Sequence, residues 1–295
     1  MDLLLDYFNL REMPFRLTPD ERYFFGSGEH NRAIAHLMFG LAQGDGFVVI
    51  TGEVGAGKTT LMERTLARIN PATYKPAVIT TTAVDGLTLL RLIGAEFGVD
   101  RCNDHVAFLS RIRERWRSNL ACDLRSIIVI DEAQALSVQA LEALRLLSNL
   151  SDGSKPLVQV VLLGQPEFRH TLAGPNLDQL RQRIIASYHL NPLELAEIGP
   201  YILHRLAAGG CTHVDLFDPE TFPVIHRATS GAPRRINRLC GRLLLNAAIE
   251  GEMQITAVTA QRIAEELERD LAFGFPSCRT IEPDPSLSHM LSVPF

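Results

Sequence analysis

Lysine is almost missing from this 295-residue chain: Lys58, Lys75 and Lys155 are the only three among 29 basic residues. Arginine therefore carries nearly all the positive charge, and a lysine inside a motif stands out. Cysteine is also sparse. The five (Cys102, Cys122, Cys211, Cys240 and Cys278) are scattered and odd in number, and no CxxC pair occurs. That excludes a zinc ribbon and a disulfide framework and predicts reduced thiols in a cytosolic setting. No apolar run approaches the roughly 18 residues that cross a bilayer, so no transmembrane segment is expected. The start, MDLLLDYFNLRE, has Asp2, Asp6 and Arg11 around a short apolar stretch and lacks the basic flank of a secretory signal. The nine histidines form no HxxxH or HxxE pair, and none is assigned to metal or catalysis. No G-x-S-x-G or Cys/His pairing points to a covalent intermediate. A net charge of −5 argues against a basic nucleic-acid coat, though not against a local basic patch.

What is present is ordinary globular composition, 46% hydrophobic and 21% charged, with two kinds of periodicity. Apolar runs at 47–51, 77–81, 126–131, 157–163 and 186–190 read as strands. Helical spacing separates them at 29–43, 58–69, 87–97, 104–118 and 137–150. Strands alternating with helices predict an α/β fold with a five-stranded parallel sheet covered on both faces. After NPLE at 191–194 the pattern turns helical (195–208, 219–228, 233–249, 256–270), which predicts a small all-α lid domain. The organisation read from this is an N-terminal strap (1–28), a nucleotide-binding core (29–192), a helical lid (193–270) and a flexible tail (271–295) with four prolines and four serines.

The sharpest motif is Gly52-Glu53-Val54-Gly55-Ala56-Gly57-Lys58-Thr59, followed by Thr60. It fits G-x-x-x-x-G-K-[ST], follows a strand and opens a helix, which is the context a phosphate-binding loop requires. Glycines let successive N–H groups turn toward phosphate oxygens, and the helix N-terminus adds partial positive charge. Lys58 is assigned to the β/γ-phosphates of ATP and the Thr59 hydroxyl to Mg²⁺. The strand Ile127–Ile130 ends in Asp131 and Glu132. Asp131 is expected to hold Mg²⁺ through water, and Glu132 to orient and polarise the attacking water.

Four further segments are candidates. Gln165, in Gly164-Gln-Pro-Glu167 after the fourth strand, is placed to touch both the γ-phosphate and the attacking water. Arg183, with Arg181 second, precedes the last strand; an arginine there can stabilise transition-state charge in cis or from a neighbouring subunit. In Gly231-Ala-Pro-Arg234-Arg235, Pro233 suits a helix first turn and Arg234 can reach back over the phosphates. Arg234, Arg238 and Arg242 recur along one helix face as a basic stripe. The aromatic stretch from Met13 to Phe25 has two placements open, a wall of the adenine pocket or a strap on the sheet.

The ordered set resembles the AAA+ ATPases. More narrowly, PFRLTPD, GFVVITGEVGAGKTT, IIVIDEAQAL, LLGQPE, LRQRI and GAPRRINRLC resemble the ExeA/GspA general-secretion ATPase family. The run is most similar to the secretion ATPase branch of PEP-CTERM/exosortase exopolysaccharide loci, and the likeness extends over about residues 5–270. The resemblance implies a P-loop AAA+ core with a five-stranded parallel sheet and helical lid, ATP and Mg²⁺, and a homo-oligomer completed by a trans arginine finger. Sensor and finger roles fall on Gln165, Arg183 and Arg234. ExeA-type proteins commonly continue into a transmembrane helix and a periplasmic peptidoglycan-binding module, neither of which these residues contain. The expectation is therefore a cytoplasmic ATPase beside an envelope export or polysaccharide-assembly system, peripheral to the inner membrane through partners. A DNA-associated ATPase of the transposition-helper type is the alternative; the basic stripe supports it and the net charge weighs against it. Glu132 argues against a scaffold that binds nucleotide without hydrolysis.

Overall fold

A computed structural model describes residues 2–18, 20–80, 83–99, 105–213 and 215–272. Five parallel strands form one sheet: β1 (Phe47–Gly52), β2 (Tyr74–Ile79), β3 (Arg125–Ile130), β4 (Val158–Gly164) and β5 (Ile184–Leu190). Their spatial order is β2-β3-β4-β1-β5. The chain leaves interior β1, crosses to the far edge and returns strand by strand, so a crevice opens beyond the carboxyl ends near β1, where α/β sheets place ligands. Strand alternation sorts the core. Phe47, Val49, Ile128, Ile130, Val160 and Leu162 face α4 (Gly86–Glu96), α5 (His105–Ala121) and α6 (Val138–Ser148) around fully buried Trp116. Val48, Ile50, Ile127, Val129, Val161 and Leu163 face α2 (Gly28–Gln43) and α3 (Lys58–Arg68). Burial of each such side chain contributes roughly 1.5–3 kcal/mol.

The second predicted strand lies earlier than its apolar run implied, at 74–79 rather than 77–81; Thr81 lies outside the described residues. This is an edge strand, where one ladder suffices and polar Tyr74-Lys75 can pair with Arg125-Ser126. Helices α7 (Glu167–Leu172) and α8 (Asp178–Arg181), with a two-residue hairpin at 151–156, are too short for periodicity to show. The tail expected at 271–295 lies, from 273 on, outside the described residues.

Helices α9 (Leu195–Ala208), α10 (Thr221–Thr229), α11 (Pro233–Glu250) and α12 (Ala257–Ala272) build a separate core around Ile202, Ile225, Ile236 and Leu243. The N-terminal segment joins this core, not the sheet: Leu4 of α1 (Asp2–Tyr7), Phe8 just after it, and Phe15 are buried within it. Further along, Phe24 packs against His30 of α2 and under Arg64 of α3. The two cores are linked at Glu197, whose side chain completes the α9 capping box and accepts from Gly28 N at 2.9 Å. No described helix is long and apolar enough to cross a membrane.

Candidate functional site

The loop after β1 has the curl its glycines allow. Gly55 (φ +80°) and Gly57 (φ +96°) sit in the left-handed region. Space excludes a side chain as well: a Cβ on Gly55 would lie 2.4 Å from Arg234 Cβ. Lys58 is buried and donates from Nζ to Gly52 O (2.7 Å) and Glu53 O (3.0 Å). Burial pushes its pKa down, while negative Glu132 and Asp131 oppose that. Its ammonium thus rests on the loop it would leave for a phosphate. Thr59 Oγ1 donates to Asp131 Oδ2 at 2.7 Å, although 72 residues separate them. A hydroxyl and a carboxylate side by side form the hard-oxygen pair Mg²⁺ accepts, and the rest of its octahedron is ordinarily water and phosphate.

Glu132 adopts φ 54°, ψ 42°, uncommon for a residue with a side chain and a mark of local strain. Gln165 Nε2 donates to Glu132 Oε2 at 3.1 Å, so the structure brings this predicted pair together. Gln134 was missed. It donates from Nε2 to Glu132 and accepts from Gln165 N at 3.0 Å, bridging the two. Its position two residues beyond the Asp-Glu pair was the available signal. Burial raises the Glu132 pKa, but the two glutamines and positive Lys58 outweigh it and hold the carboxyl below its ordinary range. Glu132 is therefore a carboxylate able to accept a hydrogen bond from water.

A cavity of about 320 Å³ lies over this loop, with Thr59, Thr60 and Glu132 at one side. Arg234 and Asn237 of α11, Arg205 of α9, and Phe24 and Phe25 of the N-terminal segment complete it. Phe24 and Phe25 of the aromatic stretch therefore line this cavity. Arg234 is placed by Gly231, whose φ of +70° and 2.9 Å acceptance from Leu193 N turn the chain into α11. Arg234 N donates to Gly55 O at 3.2 Å. Val54 is exposed on the loop, while Ala56 is buried beneath it. His30 was also missed: Ser27 Oγ lies 2.7 Å from its Nδ1, and its ring supports Gly57 and hydrogen-bonds the Ala56 backbone.

The two arginines before β5 do not join this site within the chain. Arg183 O accepts from Phe47 N, and its guanidinium pairs with Asp45 at 3.3 Å, at the amino end of the sheet. β1 separates it from the loop by roughly 20 Å at 3.3 Å per residue. Arg181 is bound to Asp178 and the Leu172 carbonyl. Neither arginine lines the cavity. The basic stripe is also shorter than expected, because Arg242 pairs with Asp270 at 2.8 Å.

The sheet order, the loop after β1, the acidic end of β3 and the appended helices are those of a AAA P-loop ATPase fold. A family model described as AAA domain matches residues 41–172. The chain is 41% identical over 251 residues to General secretion pathway protein A of Aeromonas hydrophila, covering 84% of this chain and 46% of that protein. It thus spans less than half of that relative. Among solved structures it is similar to Cdc6p from Pyrobaculum aerophilum (TM-score 0.66, 16% identity, 92% of this chain and 74% of that one). It is also similar to the Aeropyrum pernix ORC2 protein, solved in ADPNP–ADP complexes (TM-score 0.61, 18% identity, 82% and 68%). At such identities these two structures define the fold alone.

Proposed function

We propose that this chain is an ATPase of the general-secretion ExeA/GspA type that binds ATP with Mg²⁺ and hydrolyses it. The observation that carries the reading is the convergence of Lys58, Thr59 and Glu132 on one cavity, with Asp131 hydrogen-bonded to Thr59 and Gln165 to Glu132. Backbone N–H groups of 52–60 and Lys58 bind the phosphates, and Thr59 with Asp131 holds the metal. Mg²⁺ when bound neutralises charge on the phosphate oxygens. Glu132 orients a water toward the γ-phosphate, Gln165 positions both, and Arg234 reports the phosphates to the lid. Arg183, with Arg181 as second choice, acts on a neighbouring copy's site in a homo-oligomer. Identity to General secretion pathway protein A supports a cytoplasmic switch for an envelope secretion system, and the motif combination supports exopolysaccharide export at a PEP-CTERM/exosortase locus. The test of the site is Glu132→Gln. ATP affinity should stay within about twofold while turnover falls about a hundredfold or more, as removal of a positioned base does. Unchanged turnover would overturn the assignment.

A second reading, a DNA-associated ATPase, is favoured by one feature. Arg234, Arg235 and Arg238 line a cleft beside the loop, exposed and without ion pairs among the described residues. Binding of duplex DNA that weakens steeply with salt would support it; its absence at low salt would remove it.

A further inference from the structure

The lid half of the cavity holds a polar group that the phosphate-binding machinery does not use. Asn237 sits one turn into α11, 6% exposed, and lines the cavity. Its Oδ1 accepts from Tyr201 OH at 2.7 Å. Its Nδ2 has no hydrogen-bond partner among the described residues and is not sealed off from solvent. The donor therefore opens on the cavity, where water or an acceptor atom of a ligand can take its hydrogen bond.

The orientation of that amide is set by a relay. Arg205 is buried, donating through Nε to Pro14 O (2.8 Å) and through Nη2 to Arg16 O (3.1 Å). Its Nη1 donates to Tyr201 OH at 3.4 Å. A guanidinium can only donate, so the tyrosine hydroxyl receives there and spends its own proton on Asn237. The amide must then present oxygen to Tyr201 and its N–H₂ to the cavity. Arg205 also stacks over the Tyr23 ring at 4.9 Å. The same arginine thereby fixes the N-terminal wall and, through Tyr201, the direction of the free donor.

We infer that Asn237 Nδ2 donates a hydrogen bond to an acceptor atom on the base–ribose part of the bound nucleotide. It forms a contact of the lid with the ligand separate from the phosphate contacts of Arg234 and Lys58. This rests on the proposed nucleotide reading. The lid helices supply a fixed donor, and Phe24 and Phe25 of the N-terminal segment line the same cavity.

The experiment is calorimetry with ADP and with inorganic tripolyphosphate on wild type, Asn237→Asp, Tyr201→Phe and, as a control, Lys58→Ala. Asn237→Asp keeps an acceptor for Tyr201 and removes the donor. ADP affinity should fall about tenfold, the order expected for one lost hydrogen bond, and tripolyphosphate affinity should stay within about twofold. Tyr201→Phe, which frees the amide to turn, should cost ADP affinity a few-fold. Unchanged ADP affinity in Asn237→Asp, with Lys58→Ala still weakening it, overturns this inference and leaves the nucleotide reading standing. An equal fall for both ligands also overturns it, because added negative charge then explains the loss. Failure of wild type to bind ADP removes the nucleotide reading itself.

Discussion

The two ends of the sheet behave differently. At the carboxyl end, groups from distant parts of the chain meet: Thr59 on Asp131, Gln165 and Gln134 on Glu132, Arg234 against Gly55. At the amino end, Arg183 and Arg181 are neutralised by Asp45 and Asp178 and face no phosphate site of their own chain. One end is nearly complete for binding and water positioning. The other holds arginines paired with carboxylates of their own chain. Under the proposed shared-site reading, complementary halves of one reaction sit at opposite ends of one domain, and hydrolysis then requires assembly while binding does not.

The largest effect that can break this comparison is at Arg183. With Arg183→Ala, turnover should fall about a thousandfold, the range for arginine fingers, while ADP affinity measured on dilute protein is unchanged. A loss of binding instead would make Arg183 a structural partner of Asp45 and nothing more.

At the binding end, Gly55→Ala tests how tightly loop and lid are apposed. The new Cβ meets Arg234 Cβ in a backbone conformation costing on the order of 1–3 kcal/mol. ADP affinity should drop about tenfold or more. Calorimetry giving wild-type affinity for Gly55→Ala would show that the loop is not held against α11.

The smallest effect concerns His30 beneath the loop. Burial holds its imidazole pKa below the ordinary value, with the Ala56 backbone opposing. The unfolded chain takes up this proton near pH 6.5 and the folded chain resists. His30 therefore contributes fully above about pH 6.5, and its contribution is lost as pH falls below that. Thermal melts between about pH 7.5 and 5.5 should slope less in His30→Gln than in wild type. Equal slopes would contradict a buried, neutral His30.

Much of this was legible in the chain. The five strands, the order of helices and the phosphate loop follow from apolar period and glycine placement, because each is a local property. Asp131 and Glu132 were legible because a buried strand ending in two acids is unusual. Gln134 and His30 were not, because nothing local tells a glutamine in a short turn, or a histidine in a helix first turn, that a loop will pack on it. The N-terminal segment was only half legible: its aromatic residues announced a wall, but packing on the lid depends on Arg205 reaching Pro14 O and Arg16 O across some 190 residues of sequence. The proposed arginine finger depends on a second copy, and such a contact is not written in one protomer.

The most direct measurement is a mixing experiment on ATP hydrolysis. Lys58→Ala retains Arg183 but lacks a phosphate-binding lysine; Arg183→Ala retains the site but lacks the arginine. Each alone should be nearly inactive, and a mixture at concentrations that allow assembly should regain a substantial fraction of wild-type turnover. A mixture as inactive as its parts, or an Arg183→Ala protein as active alone as wild type, would contradict a site shared between two copies.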